Sequence, residues 1–135
     1  MELTRPARAV KLWITLQVLG EEQFRERIDY GQHLAEYTEE CVEEMENWQV
    51  ISRPSLSILS FKYVQPNLNE TENNKILSNA AGRMASSGYA VTYTTELNGQ
   101  KVIRMCTINP ETTKEDITGT LARLDEFVKD ELESL

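Results

Sequence analysis

The sequence predicts an α+β domain, a small and mostly antiparallel sheet with helices packed on it. Three observations carry that expectation. Asn98-Gly99 joins two alternating β-rich runs, and an Asn-Gly pair in that setting is the strongest short-range hairpin signal. Four other segments place apolar residues at helical spacing. The resulting order, α-α-β-β-α-β-β-α, has no repeat and sets the strands in neighbouring pairs, which favours antiparallel pairing.

The first helix is expected over residues 5–19, with Thr4 as N-cap, Pro6 in the first turn and Gly20 as the stop. Val10, Trp13 and Ile14 cover one side, while Leu12, Leu16 and Leu19 cover another. A helix that is apolar nearly all round wants cover on both sides, which in so short a chain points to another domain or subunit. Arg5, Arg8 and Lys11 share its basic face.

A second helix is expected over 21–47, with Phe24, Ile28, Ala35, Val42 and Met45 in the stripe and Leu34, Tyr37 and Cys41 widening it. Glu39, Glu40, Glu43, Glu44 and Glu46 lie opposite, as a solvated face rather than a metal site. A short strand, 49–52, closes at Arg53-Pro54, and a longer one follows from Leu56 to Tyr63. Asn69 and Glu72 have capping-box spacing before a helix carrying Ile76, Leu77, Ala80, Ala81 and Met84, closed by Gly88. The hairpin strands are 90–97 and 101–108. Thr112 with Glu115 then caps a last helix, which has Ile117, Leu121, Leu124, Val128 and Leu132 on one face.

Composition removes several function classes. The chain has 135 residues, 40% hydrophobic and 27% charged, which suits one compact domain. A net charge of −8 argues against nucleic acid, whose phosphates call for clustered Lys and Arg. No apolar run reaches the roughly 20 residues that span a bilayer, and no secretory segment opens the chain, so no membrane partner is expected. Cys41 and Cys106 are widely separated and the single histidine is His33, so no zinc set forms. Both cysteines are expected as small buried residues in a cytoplasmic protein, and His33 as structural or exposed. Nucleotide-loop and Ser-His-Asp patterns are missing too.

One residue stands out. Arg104 interrupts the apolar strand Val102-Ile103-Arg104-Met105-Cys106, and alternation places it with Val102, Cys106 and Ile108 on a face expected to turn inward. A guanidinium there needs an anion, either an Asp or Glu of the fold or the carboxylate of a ligand, which Arg grips bidentately.

Three stretches carry a resemblance. Leu3-Thr4-Arg5-Pro6-Ala7-Arg8-Ala9-Val10-Lys11-Leu12-Trp13 resembles the segment after the large domain of group II pyridoxal-phosphate-dependent amino-acid decarboxylases, L-x-R-R-x-R-A-L-K-x-W. Leu56-Ser57-Ile58-Leu59-Ser60-Phe61 looks like the family's L-x-L-V-x-F strand. Arg104-Met105 through Asn109-Pro110 to Asp116-Ile117 resembles the glutamate decarboxylase pattern R-M-x-x-x-N-P-x-x-T-x-x-D-I.

The resemblance implies the C-terminal part of an enzyme of aspartate-aminotransferase-like fold, an aromatic L-amino-acid or glutamate decarboxylase acting as a homodimer. Residues 1–20 would be a junction helix against the missing large domain or the partner subunit, and 21–135 the small domain. Arg104 aligns with the arginine that contacts the carboxylate of the amino-acid substrate or product. Thr4 and Arg5 align with substrate-facing and junction positions, and Arg8 with a further junction arginine. Pro6 departs from the family's second arginine. Pyridoxal phosphate is implied for the full-length enzyme and not for this chain, since the cofactor lysine follows a histidine upstream whereas His33 precedes Leu34. No catalytic residue and no metal ligand is therefore expected here. The competing reading is a free-standing α+β interaction or small-molecule-binding module.

Overall fold

The computed structural model describes residues 8–134, so Thr4, Arg5 and Pro6, and with them the expected first N-cap, lie outside the described residues. The two expected leading helices run on as α1 (Arg8–Glu44), broken only at Gly20, where φ 76° and ψ 166° leave the helical region. That combination is open almost only to glycine, which is why the break sits at this residue. Four strands follow in two pairs, β1 (Trp48–Ser55) with β2 (Ile58–Tyr63) and β3 (Tyr93–Leu97) with β4 (Gln100–Cys106). Helix α2 (Glu70–Ser87) lies between the pairs and α3 (Lys114–Glu133) closes the domain. The sheet is antiparallel throughout, in the order β1-β2-β4-β3.

Several boundaries differ from expectation. β1 does not close at Arg53-Pro54 but runs to Ser55. Proline is tolerated because β1 is an edge strand whose outer N–H positions need no partner, and two register shifts absorb the irregularity. Leu56 and Ser57, expected inside β2, instead form its two-residue turn with φ of 50° and 61°. Asn98 and Gly99 do the same at 52° and 77°, as the sequence signal required. The second helical run stops at Glu44 rather than 47, and Asn47 carries a φ of 66°. β3 begins three residues later than expected and β4 ends two earlier, leaving Ile108 exposed outside the sheet.

The capping box of α2 is the expected Asn69 and Glu72, and Gly88 closes the helix in the left-handed conformation. That of α3 is shifted by one residue, to Thr113 and Asp116. Both Thr-x-x-acid pairs have the right spacing. The observed one puts Ile117 rather than Asp116 into the core, and burial decides between them.

Side chains from all three helices join Leu59, Phe61, Tyr63 and Ile103 in a single core, which places every helix on one face of the sheet. Burying one such Leu, Ile or Phe contributes about 1.5–3 kcal/mol. Trp48 packs edge-on against Tyr63 at 5.5 Å and donates its indole N–H to Asp125 at 2.9 Å, tying β1 to α3. Burial raises the Tyr63 phenol pKa above its ordinary value.

The α1 stripe is buried only from Gly31 onward, at Gly31, Leu34, Ala35, Thr38 and Val42, and Ile28 is exposed against expectation. Gly31 admits the β1–β2 turn so closely that a Cβ would lie 3.0 Å from Ser57 Oγ and 3.1 Å from the Thr107 carbonyl. Thr107 Oγ1 donates to the Gly31 carbonyl at 2.7 Å, and Gln32 accepts from the Ser57 N–H at 3.0 Å. His33 is exposed, its Nδ1 donating to the Asp29 carbonyl at 2.7 Å.

Candidate functional site

Arg104 is the centre of a cross-strand row. Register places Ser60 of β2 on one side of it and Tyr93 of β3 on the other. Its neighbours Ile103 and Met105 point into the core, so alternation turns Arg104 to the opposite face. The expected inward orientation is not what forms. Arg104 and Cys106 are exposed, and Val102 is the only fully buried member of that strand face. The physical reason is that the core with its three helices lies on the other side of the sheet, leaving this face open at Arg104 and Cys106, although Ser60 beside them is buried. On the same face Lys62 of β2 reaches across to donate to Gln100 at 3.1 Å. A hydrated guanidinium needs no internal anion, and among the described residues Arg104 makes no ion pair and no side-chain hydrogen bond. The two thiols also depart from expectation: Cys106 is exposed and Cys41 half-buried, both free.

Beside Arg104 the sheet edge opens into a cleft of about 460 Å³, lined among others by Tyr89, Val91, Thr92, Met105 and Ile117. Tyr89 is the outer wall. Its hydroxyl occupies the space a Cβ would take at Gly119, and Arg123 of α3 stacks on its ring at 4.1 Å. Thr92 is 8% exposed, and its Oγ1 is fully buried without a hydrogen-bond partner. Asp116 stands at the rim, accepting from the Thr113 N–H and hydroxyl, each at 2.9 Å. Those two donors hold its carboxyl below the ordinary 3.8. Sequence reasoning missed Tyr89, Thr92 and Asp116 as site residues. The first two fell in or beside an expected strand, and Asp116 entered only as the acid of the stretch resembling N-P-x-x-T-x-x-D-I. Thr4 and Arg5 are not described, so the structure does not bring them to Arg104.

A resident pyridoxal phosphate would need a desolvated lysine able to lose its proton. The lysines here do not fit: none of those described is buried. Lys62 donates to Gln100, Lys114 sits on the Tyr37 ring, and Asp125 raises the pKa of Lys129.

No family model matches the chain. It is 35% identical over 125 residues to an aromatic-L-amino-acid decarboxylase of Bacillus atrophaeus, covering 92% of this chain and 26% of that protein. Among solved structures it superposes on mouse CSAD in apo form with a TM-score of 0.85, at 21% identity over 96% of this chain and 29% of that one. On Oryza sativa TDC with PLP and tryptamine the TM-score is 0.82, at 16% identity over 93% and 27%. The chain thus spans about a quarter of the curated relatives it matches. These structures carry the expected aspartate-aminotransferase-like architecture, and a cysteine desulfurase of Escherichia coli shares it at a TM-score of 0.66, with 17% identity over 96% and 32%. Sequence and fold together assign the chain to the group II pyridoxal-phosphate-dependent amino-acid decarboxylases, as their C-terminal domain.

Proposed function

We propose that this chain is the small domain of a pyridoxal-phosphate-dependent amino-acid decarboxylase, and that Arg104 meets the substrate carboxylate as the domain closes the active site. The observation that carries this reading is Arg104 itself, an exposed guanidinium with no ion pair among the described residues, on the sheet face opposite the helices. The cofactor, which acts as the electron sink when the carboxylate leaves, belongs to a large domain outside these residues. The chain alone has no decarboxylase activity, because none of its described lysines is desolvated.

Residues 1–20 act as the junction with that large domain or with the partner subunit of a homodimer. Exposed Val10, Leu12, Trp13, Ile14 and Val18 support this, since apolar patches of that kind mark interfaces. Thr4 and Arg5 would contribute to the site from that junction, as the resemblance to the family implies. No described helix is long and apolar enough to cross a membrane, and the two free thiols suit the reducing cytoplasm as the location.

The test is steady-state decarboxylation by full-length Arg104→Ala and Arg104→Lys enzymes. A lost charge-assisted contact costs about 1.5–3 kcal/mol, roughly ten- to a hundredfold in kcat/KM. Lysine keeps the charge without the two-pronged geometry, so it should not rescue. Cofactor absorbance should be unchanged in both. Near-normal kcat/KM in both would overturn the reading.

A further inference from the structure

Just past Arg104, strand β4 loses one of its two neighbours. The last β3–β4 pair is Tyr93 with Arg104, whereas β4 stays paired with β2 as far as Cys106 opposite Ile58. Beyond Arg104 the strand is therefore held from the β2 side alone, and strand ends with few partners are where local opening begins.

Thr107 holds this end. Its N–H donates to the Ser57 carbonyl at 2.9 Å. Its hydroxyl donates to the Gly31 carbonyl at 2.7 Å, with the Ser57 carbonyl as a second acceptor at 3.3 Å. The residue is 1% exposed, so these bonds are shielded from water. A Cβ on Gly31 would lie 3.1 Å from the Thr107 carbonyl, so glycine lets the strand end approach the helix this closely.

Gly31 is the middle of three consecutive α1 residues bonded to segments far away in sequence. Tyr30 donates its hydroxyl to the Thr112 carbonyl at 2.8 Å, and Gln32 accepts the Ser57 N–H at 3.0 Å. Together they form a collar at the boundary within α1, where no apolar residue before it is buried and the stripe after it is. The collar thus joins two things, the helix half that the junction reading sets against the rest of the enzyme and the strand end that follows Arg104.

We propose that Thr107 is a positioning residue for Arg104, its hydroxyl pinning the one-sided end of β4 to α1 at this collar. The inference rests on Arg104 as the carboxylate contact and adds the residue that fixes where that contact stands. A two-pronged grip on a carboxylate loses effect with small displacements, so a drifting strand end costs activity without any change in the guanidinium itself.

The experiment is a double-mutant cycle in the full-length enzyme, with the L-amino acid that wild type decarboxylates fastest as substrate. Thr107→Val keeps the shape and removes the donor, and should lower kcat/KM by roughly two- to tenfold. Thr107→Ser keeps the donor and should recover most of that loss. A hydroxyl that only stabilises the fold would lower activity by the same factor with or without Arg104. One that acts through Arg104 loses its effect once Arg104 is gone, so in the Arg104→Ala background Thr107→Val should change kcat/KM by less than about twofold. Equal losses in the two backgrounds, or no loss in the wild-type background, would overturn the proposal. If Thr107→Val does not accumulate as folded protein, Tyr30→Phe opens the collar at its exposed end and carries the same cycle with a smaller loss, under the same two overturning results.

The underlying reading fails separately. Near-normal kcat/KM in Arg104→Ala alone would overturn the carboxylate contact. A crippled Arg104→Ala enzyme in which Thr107→Val still exacts its full loss would leave that contact standing and overturn the positioning role.

Discussion

Helix α1 contains two halves of similar apolar content and opposite fate. From Gly31 to Glu44 its stripe is sealed against the sheet, with Leu34 at 1% exposure and Ala35 and Val42 at zero. From Ala9 to Tyr30 no apolar residue is buried: Leu16, Leu19 and Phe24 are half-buried and the others exposed, Leu12 at 52% and Trp13 at 62%. The sequence already separates residues 8–19, apolar on two sides, from the single stripe that follows, yet Phe24 and Ile28 belong to that stripe and neither is buried. The difference is the partner: the second half meets the β1–β2 pair, whereas the first reaches the rest of the domain at its end, where the Tyr30 hydroxyl donates to the Thr112 carbonyl at 2.8 Å. A stripe in the sequence reports a wish for burial, and whether this chain grants it depends on what the sheet offers.

The widest separation between the halves should appear on truncating matched leucines. Leu34→Ala removes a fully enclosed side chain and should cost about 2–5 kcal/mol, whereas Leu12→Ala should stay within about 0.5 kcal/mol. Urea unfolding of the two variants measures the contrast. Equal losses would mean that the first half is packed after all.

The two glycines sharpen the same contrast at smaller size. At Gly31 an added methyl meets a backbone carbonyl and the Ser57 hydroxyl, and the carbonyl belongs to the sheet connection and has little room to move. Gly31→Ala should cost about 1–3 kcal/mol by overpacking. Gly20 has open space around it but a conformation closed to alanine. Gly20→Ala should therefore straighten α1 and raise the helical circular dichroism signal while leaving the unfolding midpoint in place. A large stability loss at Gly20 with none at Gly31 would reverse the assignment of the two halves.

Much of this fold was legible because local chemistry and burial agree. Asn98-Gly99 sets a turn with positive φ at both residues, and Asn69, Glu72 and Gly88 bracket α2 by hydrogen bonds made within the segment itself. Where neighbours distant in sequence decide, reading fails. Leu56-Ser57 has none of the Gly, Asn or Asp residues that favour a positive φ, yet the Ser57 N–H and C=O are claimed by Gln32 and Thr107. Proline at 54 reads as a stop unless the strand is known to lie on the edge. For the candidate site, alternation put Arg104 on the right face but not that face in solvent, because the side taken by the helices is a property of topology. Thr92 offered no sequence signal at all, since its isolation follows from a strand that peels away.

The smallest effect concerns the start of α3, where two adjacent Thr-x-x-acid pairs compete and only Thr113 with Asp116 forms the box. Thr113→Ala should cost about 1 kcal/mol, and Thr112→Ala nearly nothing beyond what its side chain covers. The acid partner adds a pH signature. The Asp116 carboxyl is held below its ordinary value in the folded state by the Thr113 N–H and hydroxyl, so folding favours the ionised form. That contribution is complete above the unfolded value near 3.8 and disappears as pH falls through the lower folded one. Asp116→Asn should therefore be less stable than wild type at neutral pH and converge with it as the pH falls through the lowered folded-state value, a difference read from unfolding midpoints across the acid range. Glu115→Gln, in the pair that does not form, should show no such convergence. An Asp116→Asn deficit that stays constant with pH would mean the carboxylate is not the cap's acceptor, and Glu115 would then have to be tested in its place.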